Sequence, residues 1–225
     1  VRDRPTLAEL ELSEGRPQFN RNTLFLGRPG GYYTEVAWMS GLAASDWTWS
    51  TLFLDVDLDG DEDLLLTNGF EFDVMDQDSH SEIKDSGRRL TENQLKRSMQ
   101  LHPRWRTRNA AFRNRGRGEF EPAASDWGFD LEGISYGMAA GDLDNDGDLD
   151  VVVNPIDGPA QLYRNDTCGN QSVALSLVDA TSHNRDAVGA IVRLQSSSGM
   201  QTRSVQVSSG YLSGRTTTLH FGVGH

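Results

Sequence analysis

The sequence predicts an all-β chain: blades of short strands, repeated, followed by a separate small β domain. Three observations carry that expectation. The chain aligns to itself without a gap at a shift of 87 residues. Its apolar residues fall in short runs bounded by Gly, Asn and Pro, which is strand patterning rather than helical spacing. Its charge is concentrated in two nine-residue loops, Asp55–Asp63 and Asp142–Asp150, each set between apolar runs.

The repeat is dense in matches. Asn22 and Phe25 fall on Asn109 and Phe112, Gly31 on Gly118, Tyr33 on Phe120, Ala37 on Ala124 and Gly41 on Gly128. Leu64-Leu65-Leu66 falls on Val151-Val152-Val153. A polar segment of roughly 39 residues, Phe70 to Arg108, interrupts the first copy and leaves a unit near 48, within the range of propeller blades. Strands are expected at Asn22–Leu26, Tyr32–Val36, Ser50–Val56 and Asp63–Thr67. The second copy repeats them at Ala110–Asn114, Glu119–Glu121, Ser135–Gly141 and Asp150–Asn154, and Ala160–Arg164 begins a further half unit. These blades occupy 1–165, with the insertion at 70–108. Within the insertion, Thr91 and Gln94 have capping-box spacing, so Thr91–Gln100 is expected to be a helix ended by His102-Pro103.

Beyond a polar linker, Asn165–Ser172, the pattern changes. Val173–Val178, Val188–Gln195, Met200–Val207 and Thr217–Phe221 alternate or run apolar, with a turn at Ser196–Gly199. They define a second β domain over 173–225.

Charge narrows the function. The formal net charge is −12, from 33 acidic and 21 basic residues, but the two loops alone hold eleven carboxylates and no basic residue. The rest of the chain is close to neutral. This excludes a uniformly acidic disordered chain and argues against charge steering the molecule to nucleic acid. No apolar run approaches the roughly 18 residues that would span a bilayer. The chain opens Val-Arg-Asp-Arg-Pro without an initiator Met and is expected to be an internal fragment. Cys168 is the only cysteine, so no intrachain disulfide forms.

Both loops read D-x-D-x-D-G-D-x-D. Carboxylates at positions 1, 3, 5 and 9 (Asp55, Asp57, Asp59, Asp63; Asp142, Asp144, Asp146, Asp150) converge only if the backbone turns sharply, which glycine at position 6 permits. Convergence of so many like charges calls for a hard cation with oxygen ligands, and a flexible loop of this size suits Ca²⁺ better than Mg²⁺. Position 7 (Asp61, Asp148) is expected to offer its main-chain carbonyl and turn its side chain to solvent. Glu62 and Leu149 at position 8 are not expected to be ligands. An EF-hand requires Glu at position 12 and flanking helices; here position 12 is Leu66 or Val153 and the flanks are strand-like. Two calcium sites follow.

These residues also carry a resemblance. Asp55–Asp63 followed by Leu64-Leu-Leu-Thr-Asn-Gly, and Gly141–Asp150 followed by Val151-Val-Val-Asn, resemble FG-GAP/VCBS repeats, the calcium-binding blades of propellers of the integrin α-subunit type. Asn109-x-x-Phe-Arg-Asn and Gly118-Glu-Phe extend the likeness. Asn184-Arg-Asp-Ala-Val-Gly-Ala, Gln201-Thr-Arg-Ser-Val-Gln-Val, Gly210-Tyr-Leu-Ser and Leu219-His-Phe-Gly-Val-Gly are similar to the ASPIC/UnbV domain. The pairing resembles the cartilage acidic protein family and its bacterial relatives. The resemblance implies a partial β-propeller of about two and a half blades, where closed propellers have about four to eight, and a C-terminally shortened ASPIC/UnbV domain. It also implies a non-catalytic binding or adhesion module, extracellular, periplasmic or on the cell surface, with a protein or glycan ligand. The alternative is a component or enzyme of a biosynthetic pathway built on the same propeller; appended surface modules or neighbouring pathway genes separate the two.

Other constellations are weaker. Arg104–Gly118 holds six arginines interleaved with Trp105 and Phe112, which reads either as an RNA strip or as strand and turn arginines facing water or carboxylates. Overall charge favours the second. Ser209-Gly210-Tyr211 is no nucleophile elbow, and His80, His102, His183, His220 and His225 show no metal or catalytic spacing. His80 among Asp76, Asp78 and Glu82 reads as a solvated loop, and His220 as an outward strand residue. The glycosylation sequons at Asn165 and Asn170 read as chance.

Overall fold

A computed structural model describes residues 21–74, 76, 78–79, 99–197 and 199–224. The helix expected at Thr91–Gln100 and the position of His80 lie outside the described residues, save for the end of the helix segment. Fifteen strands are present among the described residues, in six sheets, none closed on itself. The chain is an all-β protein consistent with a partial propeller.

Contacts divide the chain into two compact units, Val1–Ala44 and Ser45–His225. In the first, β1 (Phe25–Arg28) and β2 (Tyr32–Glu35) pair antiparallel. Asn22 ties the described part of this unit together, its backbone and side-chain amides donating to the carbonyls of Ala43 (3.0 Å) and Leu42 (3.1 Å).

The second unit is built on a four-stranded sheet, β3 (Thr48–Leu54), β4 (Asp63–Asn68), β6 (Ala110–Asn114) and β7 (Phe120–Pro122). Strand β3 alternates, with Ser50, Leu52 and Leu54 buried and Thr51 and Phe53 outward, whereas β4 is buried throughout, as an inner strand should be. The next sheet has three strands, β9 (Ser135–Gly141), β10 (Asp150–Pro155) and β11 (Gln161–Tyr163). Leu52, Leu54, Leu65, Ala111, Phe129, Met138, Val151 and Val153 form the core between these sheets. Two-residue strands β5 (Thr107–Arg108) and β8 (Glu132–Gly133) pair beside them; neither was anticipated, because two residues carry no period.

The blade is out of phase with the sequence repeat. One sheet takes β3 and β4 from the first copy and β6 and β7 from the second. The 87-residue register is nonetheless reproduced bond for bond. Val36 N–H donates to Leu24 and Ala123 N–H to Ala111, each at 2.8 Å, and Leu42 to Ala37 and Phe129 to Ala124, again at 2.8 Å. The insertion leaves between β4 and β6 and is pinched at its neck, where Phe70 and Trp105 exchange backbone hydrogen bonds of 2.8 and 3.0 Å.

The C-terminal strands pair as β12 (Gln171–Leu175) with β15 (Leu219–Gly224), and β13 (Ile191–Ser196) with β14 (Gly199–Ser204). They enclose a small core of Val205, Leu219 and Phe221. Asn165–Ser172, expected as a linker, does not stand free: its polar side chains bond to the backbone of the acidic loops. At the far end of β3, Trp49 packs against Phe70, Tyr136 and Tyr211 with ring centroids 5.5, 4.3 and 5.0 Å away.

Candidate metal centre

Each acidic loop joins two antiparallel strands of one sheet, β3 to β4 and β9 to β10, so a tight turn must carry five or six carboxylates. The turn is achieved as the sequence implies: Gly60 has φ 104° and Gly147 φ 101°. Position 4 also enters the left-handed region, at Leu58 (φ 58°) and Asn145 (φ 64°). Asparagine tolerates this; for leucine it costs roughly 1–2 kcal/mol, offset here by burial of the side chain.

In the first loop, carboxylate oxygens of Asp55, Asp57 and Asp63 lie within 4.8 Å of one another. Two oxygens across one Ca²⁺, each at about 2.3–2.6 Å, would be at most about 5 Å apart, so the three can share an ion. Asp55 Oδ2 accepts from Gly60 N–H (2.9 Å) and Gly222 N–H (3.2 Å), while Asp55 Oδ1 and Asp57 Oδ1 are buried without any hydrogen-bond partner. Unpaired buried carboxylate oxygens are costly, and a cation is one partner that would satisfy them. Burial pushes the Asp55 and Asp63 carboxyls up to about 7, with the charges of Asp59 and Asp57 adding to the rise at Asp55. Burial likewise raises Asp57, and the charge of Asp59 adds to it. Arg113 Nε, 3.1 Å from Asp57 Oδ2, is the nearby counter-charge. Asp59 and Asp61 are exposed and stand outside the cluster; Asp59 Oδ1 instead accepts Asp61 N–H at 2.9 Å.

In the second loop the trio is Asp142, Asp144 and Asp146, also within 4.8 Å, and Asp142 Oδ1 is again buried and unpaired. This site is more open, since Asp144 and Asp146 are exposed. Asp148 departs from expectation. Its side chain is buried, not solvent-directed, because Asp148 Oδ2 accepts Thr167 N–H at 3.0 Å. Burial, with the charges of Asp146 and Asp150, pushes its carboxyl up to about 6. Asp150 lies outside the trio.

Position 9 has a framework role in both loops. Asp63 accepts Val56 N–H (2.9 Å) and Asn114 N–H (2.8 Å); Asp150 accepts Leu143 N–H and Asn165 N–H, both at 2.9 Å. Asn114 ends β6 and Asn165 lies two residues beyond β11, the strands that follow and pair with β4 and β10, and each is preceded by an aromatic residue and an arginine, Phe112-Arg113 and Tyr163-Arg164. That recurring triplet was the available signal for them.

The second loop's neighbour also bridges to the first. Asn165 Nδ2 and Thr167 Oγ1 donate to Val56 O (both 2.8 Å), and Asn170 Nδ2 donates to Asp57 O (2.8 Å). Both sequon asparagines are thus committed to loop backbone. From the C-terminal strands, Gly224 N–H donates to Leu58 O (3.0 Å) and Arg203 Nε pairs with Glu62 at 3.1 Å. These partners, up to 167 residues distant from the loop, had no local sequence signature.

Of the arginine strip, Arg106 pairs with Asp157, Arg108 with Asp130, Arg113 with Asp57 and Arg115 with Glu121. Phe112 is buried in the sheet. His220 is half-buried rather than outward, and burial lowers its pKa.

Comparison with known families gives two matches. Residues 104–153 match the FG-GAP-like repeat, and residues 180–225 match the family described as ASPIC and UnbV. No curated protein matches the chain.

Proposed function

We propose that this chain, with its FG-GAP-like repeat at 104–153 and its ASPIC and UnbV segment at 180–225, is a calcium-ordered, non-catalytic binding module of an extracellular or cell-envelope protein. The observation that carries the calcium reading is the pair of three-carboxylate clusters with buried, unpartnered oxygens on Asp55, Asp57 and Asp142. Asp55, Asp57 and Asp63 would hold one ion, and Asp142, Asp144 and Asp146 the other. Bound Ca²⁺ supplies charge neutralisation. The framework comes from the chain itself: Asp63 and Asp150 fasten each loop to Asn114 and Asn165 at the C-terminal side of the next strand, and Gly60 and Gly147 set the turn. FG-GAP repeats are typical of extracellular or cell-surface proteins, where calcium is millimolar and a modest site suffices. No helix among the described residues is long and apolar enough to cross a membrane. A protein or glycan ligand, engaged at a loop-bearing rim, fits this reading.

The test is thermal unfolding with and without Ca²⁺. The wild type should gain stability on adding the ion, by mass action on the folded state, and Asp55→Ala combined with Asp142→Ala should abolish the gain. A melting curve unmoved by excess chelator refutes the proposal.

A further inference from the structure

Away from the metal clusters, a groove of about 340 Å³ runs between the edge strand β3 and the β14 segment with its following turn. Its volume is in the range of small-ligand pockets, about 300–1,000 Å³. Two polar groups in it are unsatisfied. Arg215 is the one half-buried arginine among the described residues whose side chain has neither a carboxylate nor a hydrogen-bond partner. Ser209 Oγ is buried without a partner. The other two charges at the groove, Arg203 and Glu62, pair with each other at 3.1 Å and cancel, so Arg215 leaves the groove one net positive charge.

The remaining lining has a definite chemistry. Thr51, Thr202 and Gln206 offer hydroxyls and an amide, and the Phe53 ring, 38% exposed, offers an apolar face. A guanidinium with no partner matches a carboxylate through its two-pronged donor geometry. Hydroxyls and an amide around it match ligand hydroxyls, and an exposed ring matches the C–H face of a pyranose. A free inorganic anion would use only the arginine.

We propose that this groove binds a sugar acid, a hexuronate residue whose carboxylate pairs with Arg215 while its hydroxyls meet Thr51, Thr202, Gln206 and Ser209 and its ring lies on Phe53. The proposal builds on the reading of the chain as a binding module but not on its ions, and the two have separate readouts.

The experiment is calorimetric titration of the whole chain, at fixed calcium, with D-glucuronate, and in parallel with D-glucose, acetate and inorganic phosphate. Saturable glucuronate binding, with each other probe at least roughly tenfold weaker, is expected from loss of one charged hydrogen-bonding group or of the ring. Arg215→Ala and Arg215→Lys should weaken glucuronate by about tenfold or more, and Ser209→Ala by a few-fold, with melting temperatures verifying that each variant is folded. Absence of saturable glucuronate binding, equal binding of phosphate or glucose, or unchanged affinity in a folded Arg215→Ala or Arg215→Lys variant would overturn it. The calcium response of the melting curve is measured on the same samples, so failure of one proposal is visible apart from the other.

Discussion

Gly222 is where the C-terminal strands meet the first acidic loop most closely, and Gly222→Ala should expose how much that contact contributes. A Cβ built on Gly222 lies 2.5 Å from the Leu58 backbone and closer still to the Asp55 carboxylate. Neither neighbour can easily yield. Leu58 is held in a left-handed conformation (φ 58°) and its carbonyl accepts Gly224 N–H at 3.0 Å. Asp55 is fixed by Gly60 N–H at 2.9 Å. Overpacking costs about 1–3 kcal/mol, and a hydrogen bond to a charged acceptor, here Gly222 N–H to Asp55, about 1.5–3 kcal/mol. With partial relaxation, a loss of about 2–4 kcal/mol is expected, or roughly 5–15 °C in melting temperature for a chain of this size. Calorimetric titration should show one calcium site weakened and the other retained, since the close contacts of the added Cβ are with Asp55 and Leu58 of the first loop. Gly158→Ala, where a Cβ meets nothing within 4 Å, is the control and should be near neutral. A Gly222→Ala variant that melts with the wild type and binds both ions equally well would refute the reasoning.

Three further outcomes follow from the same geometry. In chelator, stability should fall as pH rises from about 4 through 7, because the folded state holds protons on Asp55 and Asp63 up to about 7 while the unfolded chain releases them near the ordinary aspartate value of 3.8. Saturating calcium should reverse that slope, since ion and proton compete for the same oxygens; a calcium-independent pH profile counts against it. Asp55→Asn should raise the melting temperature in chelator by removing a buried charge, yet reduce the calcium response; a fall in chelator would contradict the burial argument. Asn165→Ala should cost about 1 kcal/mol and speed hydrogen exchange in Asp55–Asp63, although Asn165 lies over a hundred residues away; unchanged exchange there would sever the bridge.

Much of this was legible in the chain. The bounds of β6 and β9 coincide with the expected Ala110–Asn114 and Ser135–Gly141 because alternation and flanking Gly and Asn mark them. The glycine of each loop has the positive φ that its position required. Which carboxylates converge was not legible. Four candidates per loop compete, and Asp63 joins the cluster in one loop and Asp146 in the other although positions 5 and 9 accept equivalent backbone hydrogen bonds in both. Asp148 turned inward because Thr167 N–H is a tertiary partner that no spacing within the loop announces. The Asn165–Ser172 stretch is polar and short, the pattern of a linker, and only its folded path shows Asn165, Thr167 and Asn170 acting as donors to loop carbonyls.

The half-period offset between blade and repeat has a consequence for how such a chain can be cut, joined or lengthened. Asp63 takes its last donor from Asn114, and Asp150 from Asn165, so each acidic loop is completed by the copy that follows it. A break placed at a repeat boundary would strip a loop of its closing N–H. A gene duplication of one whole repeat, in contrast, brings a new loop and the closing asparagine of its predecessor together. Growth by whole repeats therefore leaves one loop awaiting its successor however many copies are added, and the residues after the last copy, here Asn165 and Thr167, must serve as its seal.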